Sequence, residues 1–224
     1  MLRYAVRRAR RVPELKGRWA GDSWAEVPPL DIANFHPRSS EHHPGTRAKL
    51  QFDGGFLYVI FQVQDRYVRA VSQRFQDPAW KDSCVELFAR PREDRGYFNF
   101  EMSCGGVLLL YYIEDATRTP DGFRKYTKVA PEHVRGLEVY HSLPQKVDPE
   151  VPGPLEWVVE YKVPLGLFAA YLGDPPRTAG ASWRANLFKC ADESSHPHWA
   201  SWSPIGEELN FHQPERFGAL DFDA

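Results

Sequence analysis

Three cysteines and two methionines in 224 residues leave little sulfur for chemistry or for flexible packing. Cys84, Cys104 and Cys190 are odd in number and lack any C-x-x-C spacing, so neither a disulfide framework nor a zinc knuckle is indicated, and buried free thiols are expected. No run approaches the roughly eighteen apolar residues of a membrane-spanning helix. The paired arginines near the N-terminus are followed by Val12-Pro13-Glu14-Leu15-Lys16 rather than an apolar stretch, which excludes an export signal. The expectation is a soluble chain, cytoplasmic as encoded. A formal net charge of −2 supplies no field that would recruit nucleic acid or an anionic membrane, and neither is an expected partner. Arg3, Arg7, Arg8, Arg10 and Arg11 read as a solvated edge segment, with an arm for an anionic surface as the alternative.

What the chain does have is aromatic residues and proline. Fourteen per cent aromatics with 19 prolines favours strands and turns over helices. Strand-like runs fall at 48–52, 57–63, 84–89, 97–103, 107–113, 137–142, 157–163, 182–189 and 218–222, separated by turn chemistry such as Asp53-Gly54-Gly55. One helix is expected at 165–172, entered after Pro164 and stopped by Gly173. Stretches 34–46, 143–156 and 173–181 read as loops, and no repeat or break in composition marks a second domain. The pattern defines an all-β fold: residues 1–224 as one antiparallel β-sandwich, jelly-roll or immunoglobulin-like, with one short helix.

The segment CVELFA, the linker RPREDRG and the segment YFNFEMS form a hairpin by pattern. If opposed residue numbers sum to 187, Val85 meets Met102, Leu87 meets Phe100 and Ala89 meets Phe98, giving a wholly apolar face. The other face then pairs Cys84 with Ser103, Glu86 with Glu101 and Phe88 with Asn99. Two directly opposed carboxylates repel. An arginine or lysine from a neighbouring strand, a cation, a shared proton or a ligand rich in hydroxyl donors would offset the repulsion.

These residues belong to a longer ordered series. Phe56-Leu57-Tyr58-Val59, Val63-Gln64-Asp65, Trp80 with Asp82-Ser83-Cys84-Val85-Glu86-Leu87-Phe88, and Tyr97-Phe98-Asn99-Phe100-Glu101 are followed by Trp157-Val158-Val159-Glu160, Trp183-Arg184-Ala185-Asn186, Ser201-Trp202-Ser203 and Pro214-Glu215-Arg216-Phe217-Gly218. The series resembles the family 9 carbohydrate-binding modules and the broader DOMON-like domains. The resemblance implies non-catalytic binding of a mono- or oligosaccharide between two Trp rings, with Glu and Asn side chains on the hydroxyls. By correspondence, Trp80 and Trp202 are the two rings and Glu86, Asn99 and Glu101 the polar contacts. The chain departs from that pattern in an insertion near 116–136 and in a second nearby tryptophan, Trp199, which is an alternative wall. Trp19, Trp24, Trp157 and Trp183 read as core or cap residues.

Other readings stay open. A DOMON-like module for protein interaction or another small ligand is one, although haem would need an axial pair and Met102 is placed in the core. A glycoside hydrolase using Glu86 and Glu101 is another, but nothing supplies a closed cleft around the carboxyls. No cofactor is indicated. Structural calcium, which the family can carry, would call on loop Asp65, Asp77 and Asp82; His196, His198 and His212 prompt a metal reading on similar loop grounds, and no metal ligand is assigned.

Overall fold

Alternating apolar and polar residues dictate strands through most of the chain. The computed structural model describes residues 1–21 and 23–224. In chain order it contains β1 (Arg3–Arg8), β2 (Leu30–Asp31), β3 (Asn34–Phe35), β4 (Gly45–Phe52), β5 (Phe56–Asp65), β6 (Val68–Ala70), β7 (Cys84–Arg90) and β8 (Tyr97–Ser103). There follow β9 (Leu108–Thr119), β10 (Gly122–Lys128), β11 (Glu138–His141), β12 (Val147–Val151), β13 (Leu155–Pro164), α1 (Leu165–Leu172), β14 (Ser182–Cys190), β15 (Trp199–Ser201) and β16 (Gly218–Phe222).

The strands make two facing layers. One runs β10-β9-β8-β7-β14-β16-β1, with β15 added to β14 and β3 to β15; the other runs β1-β4-β5-β13-β11, with β2 on β4. The two layers share β1. Its first half, Arg3 to Val6, pairs with β16, and Arg7 and Arg8 pair with β4. Both pairings are parallel, so the sandwich is mixed at this seam where a purely antiparallel one was expected. Nor is the arginine-rich start merely a solvated edge: Tyr4 and Val6 alternate inward to the core, while Arg3 pairs with Asp221 outside. The arginines hid a strand because only every second residue of it needs to be apolar.

The apolar faces meet between the layers. Val85, Leu87, Phe98, Phe100 and Met102 from one sheet pack in the same core as Leu50, Val59, Phe61, Trp157 and Tyr161 from the other. Burying each such side chain is worth about 1.5–3 kcal/mol, so a one-residue slip that turned this face outward would be prohibitive. The β7–β8 register follows: Val85 opposes Met102, Leu87 opposes Phe100, Ala89 opposes Phe98, and Glu86 opposes Glu101. Helix α1 starts directly after Pro164 and ends at Gly173, whose φ of +93° suits a residue without a Cβ. It closes one end of the core through Leu165, Leu167, Phe168 and Leu172. Among the described residues, no helix is long and apolar enough to cross a membrane.

Candidate functional site

Since the inner face of the first sheet is committed to the core, the alternate residues of its strands stand on the outer face. The registers assemble them. Glu86 on β7 lies between Glu101 on β8 and Phe188 on β14; Cys84 lies between Ser103 and Cys190, and Cys190 in turn opposes Trp199 on β15. Asn99 and Glu101 are flanked by Tyr111 and Leu109 on β9. An ordinary sheet face of this kind would be solvated. Here the β9–β10 hairpin and the segment 209–212 rise around it, leaving a cavity of about 450 Å³, within the roughly 300–1,000 Å³ typical of small-ligand sites.

Trp80, Glu86, Asn99 and Glu101 all line this cavity. Trp80 follows the turn at Asp77-Pro78 on a short 3₁₀ segment, Ala79–Lys81, and is 38% exposed, with the Lys81 ammonium over its ring. Trp202 does not line the cavity. It is 6% exposed, belongs to the inter-sheet core and covers Gly218 so closely that a Cβ there would fall 2.6 Å from the indole. The correction has a simple cause: side chains alternate along an extended strand, so Trp199 and Ser201 share the outer face while Ala200 and Trp202 turn inward. The aromatic wall on this side is Trp199. Asp192 ties the two tryptophans together, its backbone N–H donating to the Trp80 carbonyl at 3.3 Å and its carboxylate accepting the Trp199 indole N–H at 2.8 Å.

The cavity floor is acidic and poorly compensated. Asn99 donates to Glu101 Oε1 at 2.7 Å, and its own Oδ1 accepts the Tyr111 backbone N–H at 2.7 Å, which fixes the amide orientation. The Cys190 thiol donates to Glu86 Oε1 at 3.1 Å. Glu86 Oε2 and Glu101 Oε2 are buried and have no partner. Among the described residues, neither carboxylate pairs with a lysine or arginine, so the neutralising side chain weighed from the sequence is absent from this pair. Burial raises the Glu101 carboxyl to about 8, opposed by the Asn99 hydrogen bond, and raises Glu86 well above the ordinary range, reinforced by Cys190 and Glu101. Burial likewise lifts Asp192 to about 6.

The remaining candidate residues go elsewhere. Asp82 accepts the backbone N–H groups of Val71 and Ser72, and Asp77 those of Gln73 and Arg74. Asp65 sits in an inter-sheet polar network with His42, Trp157 and Lys189. His196 stacks on Tyr67, His198 accepts from Lys189, and only His212 reaches the cavity, bonded to Tyr97. Sequence reasoning missed Tyr111, Arg118, Phe123, Tyr126 and Phe211, all on the cavity wall, and noted Asp192 only beside the loop histidines. Several lie in the 116–136 segment, noted only as an insertion; its β9–β10 hairpin is one side of the site.

A two-layer all-β module with an aromatic-walled, acidic cavity on one outer face is the architecture of a binding module for small polar ligands. The carbohydrate-binding family 9 profile matches residues 23–222, and the chain belongs to that family. No curated protein matches it. Among solved structures, a candidate carbohydrate-binding protein from Bacteroides uniformis is 24% identical, with a TM-score of 0.85 and 99% of each chain covered. A family 9 carbohydrate-binding module from Caldicellulosiruptor kristjanssonii in complex with glucose is 15% identical, with a TM-score of 0.60 over 99% of this chain and 96% of that one. The same organism's family 9 module in complex with cellotriose is 17% identical, with a TM-score of 0.61 over 99% and 94%.

Proposed function

We propose that this chain binds a mono- or oligosaccharide, without transforming it, in the cavity between Trp80 and Trp199. A pyranose has an apolar C–H face that stacks on indole and a rim of hydroxyls that donate to carboxylates, and the cavity offers both surfaces. The observation that carries the reading is the pair of buried, unpartnered oxygens, Glu86 Oε2 and Glu101 Oε2, at the foot of a tryptophan-lined opening. Orphaned buried polar atoms cost about 1–3 kcal/mol each, and ligand hydroxyls, which both donate and accept, would recover that cost. Asn99 holds Glu101 in place while its carbonyl is held by Tyr111. The glucose and cellotriose held by family 9 relatives make gluco-configured sugars the first to try.

Hydrolysis fits the geometry less well. An acid–base pair needs one ionised and one protonated carboxyl, placed on either side of the scissile bond. Here burial raises both glutamates, and they stand side by side on adjacent strands of one floor.

Titration of glucose, cellotriose and a wider sugar panel, followed by intrinsic tryptophan fluorescence, tests the reading. Saturable binding at about 1 µM to 1 mM, equivalent to roughly −8 to −4 kcal/mol, is expected, with loss in Trp80→Ala and Trp199→Ala. No binding across the panel, or binding unaffected by both substitutions, would overturn it.

A further inference from the structure

Cys84 and Cys190 are separated by more than a hundred residues yet oppose each other directly across β7 and β14, with Glu86 two residues along the same face. Both thiols point at one carboxylate oxygen: Cys190 Sγ lies 3.1 Å and Cys84 Sγ 4.0 Å from Glu86 Oε1. All three atoms fall within 4.8 Å of one another. Around a tetrahedral zinc ion, Zn–S near 2.3 Å and Zn–O near 2.0–2.2 Å place sulfur and oxygen about 3.5 Å apart and two sulfurs about 3.8 Å apart. The two observed sulfur–oxygen distances bracket the sulfur–oxygen value, and the sulfurs lie within 4.8 Å of each other.

We infer that Cys84, Cys190 and Glu86 form a site for a borderline-soft divalent ion, zinc above all, at the floor of the cavity. Two thiolates and one carboxylate are a zinc donor set, and an oxygen-preferring ion such as calcium or magnesium would not choose it. Three protein ligands leave the fourth position open, and two of them, Cys190 and Glu86, line the cavity. Glu86 also carries a buried oxygen with no partner, Oε2, the same atom offered above to a saccharide hydroxyl. Ligation needs two thiolates and a carboxylate, so protonation opposes metal uptake and higher pH favours it. Cys104 takes no part; its thiol donates to the Arg69 carbonyl.

The site shares Glu86 with the proposed saccharide site, and the test reads the metal alone, so the two readings can fail separately. Reduced, metal-free protein is titrated with cobalt(II) chloride and then zinc chloride. One equivalent per chain should give the thiolate-to-cobalt charge-transfer absorption and intense tetrahedral d–d bands, which zinc then abolishes. Cys84→Ser and Cys190→Ser should remove the bands, Cys104→Ser should retain them, and Glu86→Gln should weaken binding by at least the roughly 10–100-fold seen for outer-shell partners. Wild-type protein supplies a measurement that needs no variant: one equivalent of zinc should raise the midpoint of thermal unfolding of the reduced protein. Absence of stoichiometric uptake by folded, reduced protein would overturn the inference. So would cobalt bands that survive both serine substitutions, or an unfolding midpoint that zinc leaves unmoved.

Discussion

Two clusters of buried ionisable groups lie on opposite faces of the same sheet, and they are built on opposite principles. On the inner face, Lys189 and Asp65 are fully buried with 3.6 Å between Nζ and Oδ2. His42 Nε2 donates to Asp65 Oδ1 at 2.8 Å and the Trp157 indole N–H to Asp65 Oδ2 at 3.0 Å. Lys189 also donates to the Cys190 carbonyl and to His198 Nε2; since an ammonium only donates, that nitrogen accepts, and Nδ1 carries the proton given to the His196 carbonyl. Every group is answered, and Asp65 is held well below the ordinary carboxylate range despite its burial, chiefly by Lys189 and His42. On the outer face, Glu86 and Glu101 each keep an orphaned oxygen and are pushed up instead. A closed network holds the layers together. A network left open toward a cavity is prepared for something from outside.

The largest expected effect lies in the closed network. Asp65→Asn would strand the buried Lys189 ammonium and should cost about 3–5 kcal/mol in chemical denaturation. A loss under about 1 kcal/mol would erase the contrast between the faces. Next come the tryptophans. Trp202→Ala should cost about 3–5 kcal/mol of stability while the folded fraction keeps its sugar affinity. Trp199→Ala should do the reverse, retaining most of the stability and weakening the sugar about tenfold or more, about 1.4 kcal/mol. If the two exchange behaviours, the assignment of walls is inverted.

Smaller again is the stability change in Glu101→Gln, expected within about 1 kcal/mol of wild type or slightly stabilising. That substitution removes a carboxyl whose charged form burial disfavours, and it keeps an acceptor for Asn99. A loss like that of Asp65→Asn would show that the outer cluster holds the fold. The gentlest probe is pH. Burial holds His198 neutral, well below its ordinary value, so below about 6.5 the unfolded chain binds a proton that the folded chain does not. Its contribution is present above that pH and is lost as pH falls, with a slope on the order of 1 kcal/mol per pH unit. His198→Gln should flatten that limb of the stability–pH curve; an unchanged slope would remove His198 from the account.

What the sequence made legible was whatever local alternation could dictate. The β7–β8 register was readable because only one pairing puts Val85, Leu87, Phe98 and Phe100 on a single face, and α1 because Pro164 and Gly173 bound it. The parity of the second tryptophan was not. Trp199 and Trp202 are three residues apart, so in extended chain only one can face a ligand, and a motif match chose the inward one. The parity itself was a usable signal, as was the small Ala200 beside it. Contacts between distant strands left no local trace: Cys84 with Cys190 and Asp65 with Lys189 depend on β14 lying beside β7. The parallel seam at β1 was obscured by five arginines around two inward residues, Tyr4 and Val6.

Calorimetric titration of cellotriose and the same sugar panel into wild-type protein and Glu101→Gln bears most directly on the reading of the outer face as a saccharide site. Saturable binding to wild type, at one site per chain and weakened about tenfold or more in a Glu101→Gln protein of unchanged stability, is the expected result. Absence of saturable heat from any sugar, or equal affinity in the two proteins, would contradict it.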